Sequence, residues 1–297
     1  MARSILHMLS PQKHMSPFDV NMAVDAGFDA VVPYTGVTLE EVTPLVQDAI
    51  FSRSPQDGLR TGIFIAGKSA EAALDMADAA RRALVPPFAL HIFADPAGSF
   101  TTGAAAVAVI ARALRRLDGA GLSGRRVALF GGTGVVAYCA AVLAAREGAR
   151  PVLVGYDGPE RVGRIAAGMR ARFGVEVEAA DGSTAEAKRA VARDADVILS
   201  AAAAGVQVLS AADLEGADRL LVAADVNAVP PAGIEGVGVQ ADGEPLGRGR
   251  AVGIGALAIG NVKYQTEAGL FRRMLAADEP LMLDFGEAFR LAVEIAG

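Results

Sequence analysis

Residues 125–137 read RRVALFGGTGVVA, and the reading of the rest of the chain starts from them. An apolar run, RVALF, passes directly into Gly131, Gly132 and Gly134. From Val135 the pattern is helical until Gly148 stops it. Gly132-Thr133-Gly134-Val135-Val136-Ala137 fits G-x-G-x-x-A, in the strand-to-helix setting that the motif needs. Gly132 is expected to permit the tight turn, Gly134 to let the backbone approach a pyrophosphate, and Ala137 to keep the helix close to the sheet. The helix start then offers free N–H groups and a positive dipole end to phosphate. The competing reading is a glycine-rich packing turn with no ligand.

The next strand, PVLVGYD, reaches Asp157 about 20 residues beyond Ala137, where a carboxylate can accept both ribose hydroxyls of NAD. The same carboxylate repels the extra phosphate of NADP. Arg161, one helical turn on, can offset that repulsion, so both nucleotides stay open. Ser200, Asp225 and Asn227 stand at later strand ends, where a bound dinucleotide would be bordered.

Outward from this turn the chain alternates. Toward the C-terminus come a helix over 159–173, the strand VEVEAAD, a helix over 185–193, and the strands DVILSA and RLLVAADVN. Such alternation implies a parallel sheet covered on both faces. Toward the N-terminus, Ser16-Pro17 opens a helix that Gly27 closes, and FDAVVP (28–33) reads as a buried strand. Thr38 and Glu41 form a capping box, 61–66 is a strand, Ser69 caps a helix to Leu84, 90–94 is a strand, and 104–117 is a long helix. The fold class is α/β. A Rossmann-type, doubly wound parallel sheet is expected over 104–261, with a smaller α/β domain over 1–103. Helices over 256–276 and 285–295 follow, and 262–297 is assigned to the first domain by analogy with two-domain dehydrogenases.

Composition narrows the function. The 297 residues are 52% hydrophobic and 21% charged, enough for a large core. Lys and Arg total 28 against 34 Asp and Glu, a net charge of −6, which disfavours nucleic acid as the partner. One cysteine, Cys139, excludes a disulfide framework. His7, His14 and His91 have no zinc spacing, so no metal is expected. The uncharged run 127–145 could nominally span a bilayer, but its glycines fit strand, turn and helix better. With no secretory signal at the N-terminus, a cytoplasmic protein without a membrane partner is expected.

Polar or glycine-bearing segments recur outside the turn: SPFDV with Asp19, PYTGVT with Tyr34, FADPAGSFTTGAA with Asp95, Ser99, Thr101 and Thr102, DVNAVPPAGIEG, and GIGALAIGNVKYQ with Lys263. Together with GGTGVV, and in this order, they resemble the methylene-tetrahydromethanopterin dehydrogenases of C1-metabolising bacteria over essentially the whole chain. The likeness is closest to the form that accepts both NAD and NADP. The NADP-restricted relative carries a basic pair where this chain has Tyr156-Asp157.

That resemblance implies hydride transfer from 5,10-methylene-tetrahydromethanopterin to NAD or NADP, in formaldehyde oxidation, by a homo-oligomer. A carbon between two amine nitrogens leaves a delocalised cation when hydride departs, and no proton need move. The family's active-site lysine maps onto Lys263. A full cation would oppose the product, so Lys263 is assigned to orienting the substrate. Asp19, Tyr34, Asp95, Ser99 and Thr102 are expected on the substrate side. Asp19 could instead serve a helix dipole, Asp95 a turn, and Thr101 and Thr102 a helix cap. A methylene-tetrahydrofolate or hydroxy-acid dehydrogenase, and a non-catalytic NAD-binding sensor, are the alternatives.

Overall fold

The computed structural model describes residues 2–247 and 249–297. The chain divides into two compact units. One comprises Met1–Thr101 with Tyr264–Leu291, the other Thr102–Lys263 with Ala292–Gly297. Val262, Lys263 and the last six residues thus group with the second unit, whereas the sequence reading placed all of 262–297 with the first. Arg112 shows why: its Nη1 donates to the Ala296 carbonyl at 3.3 Å.

In the first unit the elements run β1 (Ile5–Ser10), α1 (Pro17–Ala26), β2 (Ala30–Thr35), α2 (Leu39–Phe51), the short α3 (Pro55–Gly58), β3 (Thr61–Ile65), α4 (Ala70–Arg82) and β4 (His91–Ala94). The late strand β12 (Met282–Leu283) joins them. All pair in parallel, in the order β12-β4-β3-β1-β2. The central strand β1 was not anticipated, because His7 interrupts its short apolar run. Leu6, Met8 and Leu9 are fully buried there.

FDAVVP is not a buried strand. β2 begins at Ala30, lies on the sheet edge and is largely exposed. An edge strand has one unpaired side, which tolerates the missing N–H of Pro33. The core gathers around Phe64, Phe93 and Phe271, whose ring centroids lie 5.2–5.6 Å apart. Each such pair adds about 1 kcal/mol beyond its buried area.

His91 ties the late strand into this unit. Its Nε2 lies 2.9 Å from the Leu59 carbonyl, and the Leu281 N–H donates to Nδ1 at 3.1 Å. The ring is therefore neutral, with its proton on Nε2. Burial is the main cause that holds its pKa below the ordinary 6.5. The unfolded chain then binds the proton first as pH falls. Stability is complete above 6.5 and declines from there down to the lowered native value. Melting curves across this range should show that decline, and His91→Gln should flatten it; an unchanged slope would contradict the assignment.

The second unit holds β5 (Arg126–Phe130), α6 (Val135–Arg146), β6 (Arg150–Gly155), α7 (Pro159–Phe173), β7 (Glu178–Asp181), α8 (Ala185–Asp194), β8 (Val197–Ser200), β9 (Val222–Asp225), β10 (Asp242–Pro245) and β11 (Val252–Ile254). The sheet order is β10-β11-β9-β8-β5-β6-β7. The strands are parallel except β10, which runs antiparallel to β11 at the edge, with a register shift between Asp242 and Glu244. The expected doubly wound parallel sheet thus gains an antiparallel edge strand that the sequence did not announce, since DGEP carries no apolar pattern. Three further helices are α5 (Ser99–Asp118), α9 (Ala256–Ala276) and α10 (Phe285–Ala296).

Candidate functional site

From β5 the chain winds outward through β6 and β7, then crosses back to β8 and β9 on the other side. The gap outside the carboxyl ends of β5 and β8 is the switch point where α/β sheets bind ligands. Phe130 and Ser200 pair at that edge, and the glycine turn leaves from it.

The turn differs in one detail from the sequence reading. The left-handed residue is Gly131, at φ +77, not Gly132. A Cβ on Gly131 would stand 2.6 Å from the Ala201 carbonyl carbon and oxygen. Gly132 instead admits close packing. Its amide donates to the Val154 carbonyl at 3.3 Å, and a Cβ would come within 2.9 Å of Val154 N and 3.1 Å of Val162 Cγ1. Gly134 is the extended N-cap of α6, and its amide bonds the Gly131 carbonyl at 2.9 Å. It provides no side-chain cap, and Thr133, Gly134, Val135 and Val136 are half-buried, so the first amides of α6 face an approachable surface. Ala137 is fully buried. This cradle fits a pyrophosphate: small, bare of Cβ at the close approach, and rich in N–H donors.

At the end of β6, Asp157 and Arg161 form a loose ion pair at 3.9 Å, with side chains 40% and 51% exposed. Such a pair contributes well under about 1 kcal/mol, so both groups are free to meet a ribose or its phosphate. Asp157→Ala should weaken NAD more than NADP, moving the ratio of their kcat/KM values by about tenfold. Equal losses for both would remove Asp157 from the ribose.

Asp225 and Asn227 sit at the end of β9, but they brace their own loop. Asp225, 1% exposed, accepts the Asn227 N–H at 3.0 Å and the Ile234 N–H at 3.1 Å. Asn227 donates to the Pro231 carbonyl and accepts from Gly205 and Val229. The loop folds so tightly that a Cβ on Gly233 would lie 2.3 Å from Ser200 Oγ and 2.7 Å from Asp225 Oδ1. Both side chains thus brace the loop at the strand end where the sequence reading expects a dinucleotide to be bordered. Ser200 Oγ is buried without a hydrogen-bond partner among the described residues.

The candidates for the substrate side are not all alike. Asp19, 1% exposed, lines a cavity of about 330 Å³ in the first unit, at the carboxyl ends of β1 and β3. Tyr34 lines a separate hollow with Glu41 and Asp48, and its hydroxyl lies 3.1 Å from His7 Nδ1. Asp95 is wholly buried and holds the start of α5. Its Oδ1 accepts the Phe100 N–H at 2.8 Å and the Thr101 N–H at 3.3 Å, while the Thr101 hydroxyl donates to Oδ2 at 2.6 Å. These bonds make Asp95 an anchor of the start of α5, the structural role that its place in the sequence also allowed. That anchoring starts α5 at Ser99, not at 104. Ser99 and Thr102 are half-buried in its first turn. Lys263, on α9, is 9% exposed. Among the described residues no group of three His, Cys, Asp or Glu could hold a metal ion.

Comparison with known proteins adds to this geometry. The family described as methylene-tetrahydromethanopterin dehydrogenase, N-terminal, matches residues 17–97. The chain is 65% identical over 297 residues, all of both proteins, to the NAD(P)-dependent methylenetetrahydromethanopterin dehydrogenase of Methylorubrum extorquens. It is 30% identical over 296 residues, the full length of both, to the protein of that organism named Bifunctional protein MdtA. Among solved structures it is similar to a shikimate dehydrogenase in complex with NADP+. The TM-score is 0.52 at 13% identity, covering 99% of this chain and 96% of the other, a likeness of fold.

Proposed function

The chain belongs to the methylenetetrahydromethanopterin dehydrogenase family, and we infer from this that it is an NAD(P)-dependent oxidoreductase. It oxidises 5,10-methylene-tetrahydromethanopterin to the 5,10-methenyl cation, with NAD(P)+ as the hydride acceptor. The observation that carries this reading is the 65% identity along the whole chain.

The chemistry asks little of acid–base groups. Hydride leaves the one-carbon bridge with its electron pair, and the positive charge spreads over two flanking nitrogens. Rate then depends on orientation and on a field suited to the cation. In this scheme the amides at Gly132–Val136 and the start of α6 hold the pyrophosphate. Asp157 holds the ribose, with Arg161 beside it for a 2′-phosphate. Asp19 supplies buried negative charge on the substrate side. Lys263 orients the pterin by hydrogen bonding.

Purified protein mixed with methylene-tetrahydromethanopterin and NAD+ or NADP+ should raise the absorbance of reduced nicotinamide. No turnover with either nucleotide would overturn the reading. A higher kcat/KM for methylene-tetrahydrofolate would move the substrate class. Lys263→Ala should lower kcat by about tenfold to a hundredfold while nucleotide affinity survives; unchanged pterin kinetics would take Lys263 out of the site. By the same kinship we propose cytoplasmic one-carbon (formaldehyde) oxidation by a homo-oligomer, which a monomer in sedimentation at assay concentration would contradict.

A further inference from the structure

The end of β6 breaks the rule that the strand follows. Residues 151–155 are buried, and the next side chain, Tyr156, is 66% exposed, the most exposed large apolar group among the described residues. Its hydroxyl makes no hydrogen bond and its ring no ring contact among the described residues.

The backbone beneath this ring is fixed. Tyr156 and Gly158 form a β-bridge. Gly158 turns at φ +106, and a Cβ on Gly155 would stand 2.0 Å from the Gly158 carbonyl oxygen, so the turn closes only on glycine. The Gly182 amide, just past β7, donates to the Gly155 carbonyl at 2.8 Å and ties the neighbouring strand to it. A rigid turn thus presents an aromatic face to water. Such a face is a stacking surface for a nucleobase.

Its place in the sheet selects the base. The glycine turn after β5 reaches β6 at Val154, whose carbonyl accepts the Gly132 amide at 3.3 Å. Tyr156 stands two residues further on, about 7 Å of extended chain, and adjoins Asp157. A ribose held by Asp157, with its phosphate toward the glycine turn, carries its base over the end of β6. The 2′-position of that ribose meets Asp157 and Arg161, which treat NAD and NADP differently. The base is the same in both nucleotides.

We propose that Tyr156 is the stacking platform for the adenine ring of the dinucleotide. It gives NAD and NADP an equal share of affinity that does not depend on the 2′-phosphate. The assignment rests on the nucleotide reading of the glycine turn.

The test is titration with ADP-ribose, which carries the adenine, its ribose and the pyrophosphate but no nicotinamide, read by calorimetry and by tyrosine emission. The chain has four tyrosines and no tryptophan, so tyrosine emission is observed directly. In the parent protein ADP-ribose should bind and quench part of that emission. Tyr156→Ala should raise its Kd about tenfold or more and remove the quench. Tyr156→Phe should keep the affinity and also remove the quench. In steady-state kinetics Tyr156→Ala should raise KM for NAD+ and NADP+ by the same factor, whereas Asp157→Ala should not. An unchanged Kd in Tyr156→Ala, or binding without a quench in the parent protein, would overturn the platform and leave the nucleotide site standing. A loss confined to one of the two nucleotides would move Tyr156 to the 2′-position and overturn the platform too. A parent protein that binds neither ADP-ribose nor NADH would bring down the nucleotide site and the platform together.

Discussion

Gly131→Ala is expected to abolish useful nucleotide binding, raising Kd by roughly a hundredfold to a thousandfold, an effect of about 3–4 kcal/mol. Two costs combine. Alanine at φ +77 is strained by about 1–2 kcal/mol. The new methyl would also stand 2.6 Å from the carbonyl group of Ala201 and 2.7 Å from the amide nitrogen of Ala202, and backbone does not yield as a flexible side chain does. Relief requires the ends of β5 and β8 to part, which moves the amides of the turn. Fluorescence titration with NADH gives the affinity, and thermal melting shows whether the second unit remains folded. Gly134→Ala is the control. Its φ of −83 suits alanine, and a Cβ would meet Gly131 O at a tight 3.2 Å. That variant should fold and still bind more weakly, because its methyl faces the phosphate. Parent-like affinity in Gly131→Ala would remove the turn from the nucleotide site.

Asp95→Ala carries the second large effect, on stability. Three donors end on a carboxylate that is wholly buried. Truncation leaves the amides of Phe100 and Thr101 without this acceptor in a place water does not reach, while the Thr101 hydroxyl keeps only the Gly98 carbonyl at 3.2 Å. A loss of about 3–5 kcal/mol is expected, measured as a fall in the urea midpoint. Asp95→Asn keeps one acceptor oxygen and should lose less. Full stability in Asp95→Ala with a raised KM for the pterin would restore Asp95 to the substrate.

The features legible in the sequence are those decided by neighbours a few residues apart. Ser16 caps α1, and Gly27, at φ +114, ends it. The Thr38 and Glu41 capping box opens α2. The strand, glycine turn and helix of β5 and α6 fall where their pattern placed them. What was not legible depends on distant partners. β1 is a strand because β2 and β3 flank it. β12 has two residues, held by β4. Gly131 and Gly132 exchange roles because Ala201 and Val154 lie against them. The glycine turn could thus be located while the parts its glycines play could not be assigned. Asp19, Asp95 and Asp225 look alike as letters. Their partners make one the lining of a cavity, one an anchor of α5 and one a brace of the β9 loop.

The antiparallel strand β10 settles how the large sheet ends. An uncovered outer strand invites pairing with another chain, the first step toward fibrils. Here it is four residues long and exposed, with carboxylates at Glu244 and at Asp242, the latter paired with Arg112, Gly243 at φ +107, a register break and Pro245. An incoming strand would meet repulsion, a missing donor and a bent ladder. A short polar strand therefore guards a protein rich in alanine and valine against growing its own sheet from molecule to molecule.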